Sequence, residues 1–113
     1  MARPGNFAAT LDQVRAALGE FPAIRYYPGW IPTTFSGLTE RAYRFVHVDV
    51  DLYQPTRDAV EYFYPRLSAG GIIVSDDYNW PGARRALDDL CARQNLELTV
   101  SEFKQAYVQK RGN

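Results

Sequence analysis

Apolar and polar positions along the chain follow a helical period in some stretches and a strand pattern in others. Apolar residues recur at helical spacing from Leu11 to Phe21, after Thr10 and its capping-box partner Gln13. This spacing predicts an N-terminal helix. Residues 23–27 predict a short strand, which Pro28 and Gly29 end, and residues 28–42 predict a loop.

The rest of the chain predicts two buried strands, two helices and a closing strand pair. β-Branched and aromatic residues fill the strand Tyr43–Val50, and Ile72–Val74 forms a second one after a predicted turn at residues 69–71. Helices are predicted from Pro55 to about Pro65 and from Pro81 to about Gln94. Residues 96–100 and 106–109 predict an antiparallel pair. The resulting order, α-β-α-β-α-β-β, favours an α/β fold with a mostly parallel sheet.

Composition changes this picture little, but it excludes several classes of partner. The 113 residues suffice for one small domain, and 13 basic residues balance 13 acidic ones. No charge excess favours nucleic acid or an anionic membrane, and no apolar run is long enough to span a bilayer. The single cysteine, Cys91, lies in an apolar stripe and is expected to be a buried, inert thiol. Without a signal-peptide pattern at the N-terminus, we expect a cytoplasmic protein.

Two acidic clusters at the ends of predicted strands carry the candidate chemistry. Asp49 and Asp51 end the strand that begins at Tyr43, and Asp76 with Asp77 end the second buried strand. A right-handed crossover between parallel strands would bring these two ends together. Clustered carboxylates repel one another, so a cation among them is expected, and oxygen ligands favour Mg²⁺, Ca²⁺ or Mn²⁺. Asp49, Asp76 and Asp77 are therefore candidate metal ligands, and Asp51 is free to act as a base.

Plainer interpretations of the same residues stay open at this point. The acids could cap the helices that follow them, or pair with Arg84 and Arg85. His47 alternates with Asp49 along its strand, but a buried core histidine is the expected role for it. The loop aromatics Trp30, Trp80, Tyr53 and Tyr78 could either line a pocket or simply pack.

Two stretches resemble the macrocin O-methyltransferase family. They are FVHVDVDLYQPT, residues 45–56, and YPRLSAGGIIVSDDY, residues 64–78, followed by PGAR at residues 81–84. The similarity extends over about residues 6–108. It implies a class I methyltransferase that uses S-adenosylmethionine and Mg²⁺ to methylate sugar or other small-molecule hydroxyls.

By position, the resemblance implies that Asp49, Asp76 and Asp77 bind Mg²⁺ and that Asp51 is the general base. It also implies that Gly29, Trp30 and Ile31 contact the cofactor. The family's sheet order is 3-2-1-4-5-7-6, and its glycine-rich cofactor loop follows a first strand that this sequence lacks. We therefore expect a partial Rossmann-like sheet without the first two strands, interrupted between the strand at residues 23–27 and the next. Residues 1–113 would then be one truncated domain, completed by a homodimer partner or another chain.

Two other functions remain as alternatives. An apolar strand ending in Asp-x-Asp also resembles haloacid dehalogenase-like phosphohydrolases, with Asp49 as nucleophile and Asp51 as acid and base. The absence of lysine before Lys104 disfavours that chemistry. The other alternative is a non-enzymatic remnant or oligomerisation module, which would expose a wide apolar patch.

Overall fold

The computed structural model describes residues 10–50, 52–76, 78 and 81–111, which fall into two compact units. The first unit runs up to Trp30, and the second begins at Ile31. In the described residues, no helix has the length and apolar character that crossing a membrane requires.

The first unit is built on helix α1, Leu11–Leu18. The predicted capping box is confirmed: the Gln13 amide donates to the Thr10 hydroxyl, and the Gln13 side chain accepts from the Thr10 amide. The predicted strand at residues 23–27 is wrong, because those residues form no regular element. A strand needs a hydrogen-bonded neighbour, and this segment is largely exposed instead of lying within a sheet.

The second unit is built on a four-stranded sheet in the order β1-β2-β4-β3. Its strands are β1, Tyr43–Val48; β2, Leu67–Ser75; β3, Thr99–Val100; and β4, Ala106–Gln109. Strands β1 and β2 are parallel neighbours, whereas β4 runs antiparallel to both β2 and β3. The predicted α/β class, the adjacent parallel strands and the closing antiparallel pair are thus confirmed. The order matches the 4-5-7-6 part of the sheet that the family resemblance implies.

No interruption occurs between the four described strands. The expected break lay between a strand at residues 23–27 and the strand at Tyr43, and the first of these does not form. Among the described strands, β1 therefore lies at one edge of the sheet and pairs only with β2.

Strand β2 contains the glycines that were predicted to form a turn before it. The pairing shifts between Tyr43 opposite Leu67 and Phe45 opposite Ile72, so extra residues of β2 bulge out of register. Gly70 accommodates this irregularity with a φ of 81°. A Cβ at Gly71 would lie 2.9 Å from the Ser68 carbonyl oxygen. The prediction of a turn is wrong because glycine favours a bulge as readily as a chain reversal.

Two helices connect and cover the strands. Helix α2 spans Tyr53–Phe63 and helix α3 spans Pro81–Gln94. Short 3₁₀ turns occupy Thr33–Gly37 and Tyr64–Arg66, the second at the proline that ends α2. Apolar side chains of α2, α3, β2 and β4 form the core, including Val60, Ile73, Leu87, Leu90 and Val108.

Candidate active site

The candidate site lies where strands β1 and β2 end. Val48 and Ser75 are register partners at the last paired position of the two strands. Asp49 and Asp76 each follow one of these partners directly, so their backbones leave the sheet side by side. This placement confirms that a crossover joins two neighbouring strand ends. Asp51 and Asp77 lie outside the described residues.

The Asp76 carboxylate is held by two side chains, one from β1 and one from the residue that precedes β4. The Gln105 amide donates to its Oδ1 over 2.6 Å, and His47 Nε2 lies 2.9 Å from its Oδ2. The hydrogen bond from Gln105, followed by that from His47, lowers the pKa of Asp76 below its ordinary value. Asp76 is therefore an ionised, oriented carboxylate at neutral pH.

His47 is not the core histidine that was expected. Its side chain is 42% exposed, at the end of β1, where it contacts Asp76. The strand alternation directs Val48 inward and leaves His47 and Asp49 on the more exposed side. Sequence analysis identified this shared side, but burial of the imidazole was the wrong choice.

Gln105 is a site residue that sequence analysis missed. Ser75 of β2 pairs with Ala106 of the antiparallel strand β4. In an antiparallel pair, the residue after Ser75 lies opposite the residue before Ala106. Asp76 therefore meets Gln105, 29 positions away along the chain. No local pattern marks Gln105, and only the pairing register of β4 could have found it.

Tyr53 and Tyr78, two of the candidate pocket aromatics, are bound to helix α3. The Tyr53 hydroxyl donates to Asp89 over 3.0 Å, and the Tyr78 hydroxyl donates to Asp88 over 2.9 Å. Burial, followed by the bond to Asp88, raises the pKa of Tyr78. Tyr78 thus anchors the loop after β2, and Tyr53 anchors the start of α2. A third candidate, Trp80, lies outside the described residues.

Arg84 and Arg85 contact residues of the loops and of α3. Arg84 Nε lies 3.9 Å from Asp88, and the Arg84 guanidinium stands over the Tyr78 ring. The Arg85 guanidinium stands over the Tyr53 ring. In the described part of the chain, neither arginine forms an ion pair with Asp49 or Asp76. The interpretation of these two acids as arginine partners is therefore not supported.

The three residues expected to contact the cofactor span the point along the chain where the first unit ends and the second begins. Gly29 has a φ of 138°, a conformation that favours glycine, and the Trp30 side chain is 86% exposed. Ile31 begins the second unit. Cofactor contacts at these positions stay a prediction.

The donor chemistry of the described acids fits a hard divalent cation. Asp76 is ionised and oriented, and Asp49 is exposed at the adjacent strand end. Oxygen donors of this kind suit Mg²⁺. The described residues alone contain no cluster of three or more histidine, cysteine, aspartate or glutamate side chains that could hold a metal. Two of the four predicted acids lie outside that part of the chain, so the metal site stays a prediction.

Cys91 lies away from this chemistry, on α3. Its side chain is half-buried against the core, and burial raises the pKa of its thiol above the ordinary value. A thiol with a raised pKa is a weak nucleophile at neutral pH, which agrees with the expected inert role.

A comparison with protein families matches residues 6–111 to the model described as macrocin-O-methyltransferase (TylF). The chain belongs to this family. The match covers both acidic strand ends, the bulged strand β2 and the closing strand pair. The expected resemblance is confirmed.

Curated relatives are named as O-methyltransferases. One is a Streptomyces olivaceus 8-demethyl-8-(2,3-dimethoxy-alpha-L-rhamnosyl)-tetracenomycin-C 4'-O-methyltransferase, 35% identical over 103 residues, covering 88% of this chain and 40% of the relative. Another is the Micromonospora griseorubida mycinamicin III 3''-O-methyltransferase, 31% identical over 71% of this chain and 32% of the relative. The chain thus spans about two fifths or less of the length of these relatives.

Solved structures give the same result for the fold. The O-methyltransferase NovP superposes with a TM-score of 0.83 at 25% identity, over 96% of this chain and 48% of that protein. The calicheamicin methyltransferase CalS11 superposes with a TM-score of 0.51 at 26% identity, over 60% of this chain and 28% of that protein. The described fold is therefore that of part of an O-methyltransferase.

Proposed function

We propose that the chain is the metal- and acceptor-binding part of an O-methyltransferase that uses S-adenosylmethionine and Mg²⁺. Its acceptor would be a hydroxyl of a sugar or another small molecule. The observation that carries this proposal is the register of Val48 with Ser75, which sets Asp49 and Asp76 side by side at two strand ends. Family membership supports the reaction class, and the relatives' names support the class of acceptor.

Each acidic residue has a distinct role in this proposal. Asp49, Asp76 and Asp77 would bind Mg²⁺, with Gln105 and His47 holding the Asp76 carboxylate in one orientation. Asp51 would accept the proton of the acceptor hydroxyl. Gly29, Trp30 and Ile31 would contact the cofactor. Bound Mg²⁺ would lower the pKa of the acceptor hydroxyl, and bound S-adenosylmethionine would supply the methyl group.

The alternative functions lack an observation in their favour. The family match and the relatives described above are methyltransferases, and none of them suggests a phosphohydrolase. Asp76 also lies at a strand end in an ordered carboxylate–amide–imidazole arrangement, which supports retained chemistry over a remnant.

The decisive experiment titrates the protein with Mg²⁺ and with S-adenosylmethionine and measures binding by calorimetry. A second assay measures transfer of a radiolabelled methyl group to a rhamnosylated acceptor. We expect Asp76→Asn to weaken Mg²⁺ binding by at least about tenfold, because the charge of an oxygen ligand is lost. Asp12→Asn, in the first turn of α1, is a matched control that should leave binding unchanged. Equal Mg²⁺ affinity in wild type and Asp76→Asn would refute the assigned metal site. Absence of methyl transfer with both ligands bound would restrict the protein to binding.

A further inference from the structure

Helix α3 carries two arginine–aspartate pairs offset by one residue. The segment RRALDD, residues 84–89, spaces Arg84 from Asp88 and Arg85 from Asp89 by four positions each. Residues four apart lie on one helix face, so each pair presents a cation and an anion together. We name this segment the tyrosine clamp, because each of its pairs holds one tyrosine.

The first pair holds the loop that follows β2. Tyr78, two residues after Asp76, donates its hydroxyl to Asp88 over 2.9 Å. The Arg84 guanidinium stands 5.2 Å from the centre of the same ring. A hydrogen bond to a carboxylate and a cation over the ring face act on one side chain, which fixes both its tip and its plane.

The second pair repeats this arrangement on the first residue of α2, where the loop after β1 ends. Tyr53, four residues after Asp49, donates its hydroxyl to Asp89 over 3.0 Å. The Arg85 guanidinium stands 5.0 Å from the centre of that ring. The loop after β2, through Tyr78, and the start of α2, through Tyr53, are thus attached to adjacent positions of one helix.

The backbone of α3 also approaches the start of α2 closely. A Cβ at Gly82 would lie 2.6 Å from the Tyr53 backbone nitrogen and 3.2 Å from the Leu52 carbonyl carbon. Only glycine permits this approach without displacement. The contact is independent of the side-chain bonds and joins the same two elements, the start of α3 and the start of α2.

We propose that the tyrosine clamp is the positioning element of the candidate site and that α3 fixes the separation of the two acidic loops. Tyr53 and Tyr78 are positioning residues, since they act through the loops and not on a reacting atom. This inference rests on the proposed function for its purpose, because a cation bound between two strand ends requires both loops at a set distance. The attachment of the loops to α3 can be tested without a metal.

The test measures amide hydrogen exchange by NMR in the metal-free wild type and in the variants Tyr53→Phe and Tyr78→Phe. Removing a hydroxyl that donates to a carboxylate should speed exchange about tenfold in the loop concerned. Tyr53→Phe should speed exchange of the Val50 and Leu52 amides. Tyr78→Phe should speed exchange of the Asp76 amide and of the amide at position 78. Tyr107→Phe, on the exposed side of β4, is the matched control.

The exchange pattern decides the inference in either direction. Acceleration confined to the loop concerned, with Ile73 and Val108 amides unchanged, supports the clamp. Unchanged exchange rates of the loop amides would overturn it, because the tyrosine bonds would then not hold the loops. Equal acceleration throughout the core strands would also overturn it, because the bonds would then add only global stability.

A Mn²⁺ titration of the same proteins separates this inference from the proposed function. We expect the wild-type protein to bind Mn²⁺. We expect the double variant Tyr53→Phe/Tyr78→Phe to bind Mn²⁺ with an affinity about tenfold lower. Failure of wild type to bind Mn²⁺ would count against the proposed metal site alone, since the exchange pattern still decides the clamp. Undiminished Mn²⁺ affinity in the double variant would overturn a positioning role.

Discussion

At the scale of single residues, the Thr56 hydroxyl is the least satisfied polar group in the described core. Thr56 lies in α2 and is fully buried, and its Oγ1 has no hydrogen-bond partner among the described residues. Burying a hydroxyl without a partner costs about 1–3 kcal/mol. Valine has the same shape without this cost, so we expect Thr56→Val to raise the free energy of unfolding by about 1 kcal/mol. Urea denaturation measures this change.

A matched variant tests whether the hydroxyl is the cause. Thr56→Ser keeps the hydroxyl and removes the methyl group, so it should lower the free energy of unfolding by about 1 kcal/mol. A loss of stability in Thr56→Val would contradict the interpretation and indicate that the hydroxyl is satisfied in solution.

Gln105 offers a second test at the residue scale, through the pKa of Asp76. Because the bond from Gln105 is the main cause that lowers this pKa, Gln105→Ala should raise it toward the ordinary aspartate value. Because this pKa is lower in the folded protein, ionised Asp76 stabilises the fold at any pH above the unfolded-state pKa. This stabilisation is lost as the pH falls through the folded-state pKa. Gln105→Ala should therefore lose this contribution at a higher pH. Carboxyl ¹³C NMR titration of metal-free protein measures the shift.

The control for this titration is Gln109→Ala, which removes a donor to the Gly70 carbonyl at the other end of β2. It should leave the Asp76 titration unchanged. Equal midpoints in wild type and Gln105→Ala would show that the short contact is not maintained in solution.

At the scale of elements, the close approach of α3 to the start of α2 predicts a steric penalty at Gly82. Alanine is normally favoured over glycine in a helix by about 1 kcal/mol. At Gly82 its Cβ would meet backbone atoms that cannot rotate away, and such overpacking costs about 1–3 kcal/mol. We expect Gly82→Ala to lower the melting temperature, whereas Gly37→Ala, with nothing within 4 Å, should not. Stabilisation by Gly82→Ala would refute the close approach.

The elements also show what the sequence could predict. Helix α3 was predicted over its full observed length, and so was β4, because each has clear periodicity or β-branched composition between turn residues. The strand at residues 23–27 was wrong, since apolar composition does not reveal whether a partner strand is near. The extension of β2 back to Leu67 was missed because its glycines also favour a turn.

At the scale of the whole molecule, sequence patterns predict only those parts of the candidate site that do not depend on tertiary contacts. Sequence patterns place Asp49 and Asp76 at neighbouring strand ends, because a crossover between parallel strands leaves little choice. They do not place Gln105 beside Asp76 or assign Tyr53 and Tyr78 to α3. Those contacts depend on the register of β4 and on how α3 packs, which are set by tertiary structure.

The exposed edge of the sheet leads to a prediction about association. Among the described strands β1 pairs only with β2, and Phe45 on β1 is 62% exposed. An apolar side chain beside unpaired backbone groups favours pairing with a second chain. We expect light scattering to show mass increasing with concentration, and Phe45→Lys to reduce this increase because charged residues disfavour edge pairing. Phe103→Lys, which replaces a 78% exposed side chain between β3 and β4, is the control and should have little effect. Equal suppression by both variants would show that general surface hydrophobicity, and not the β1 edge, drives the association.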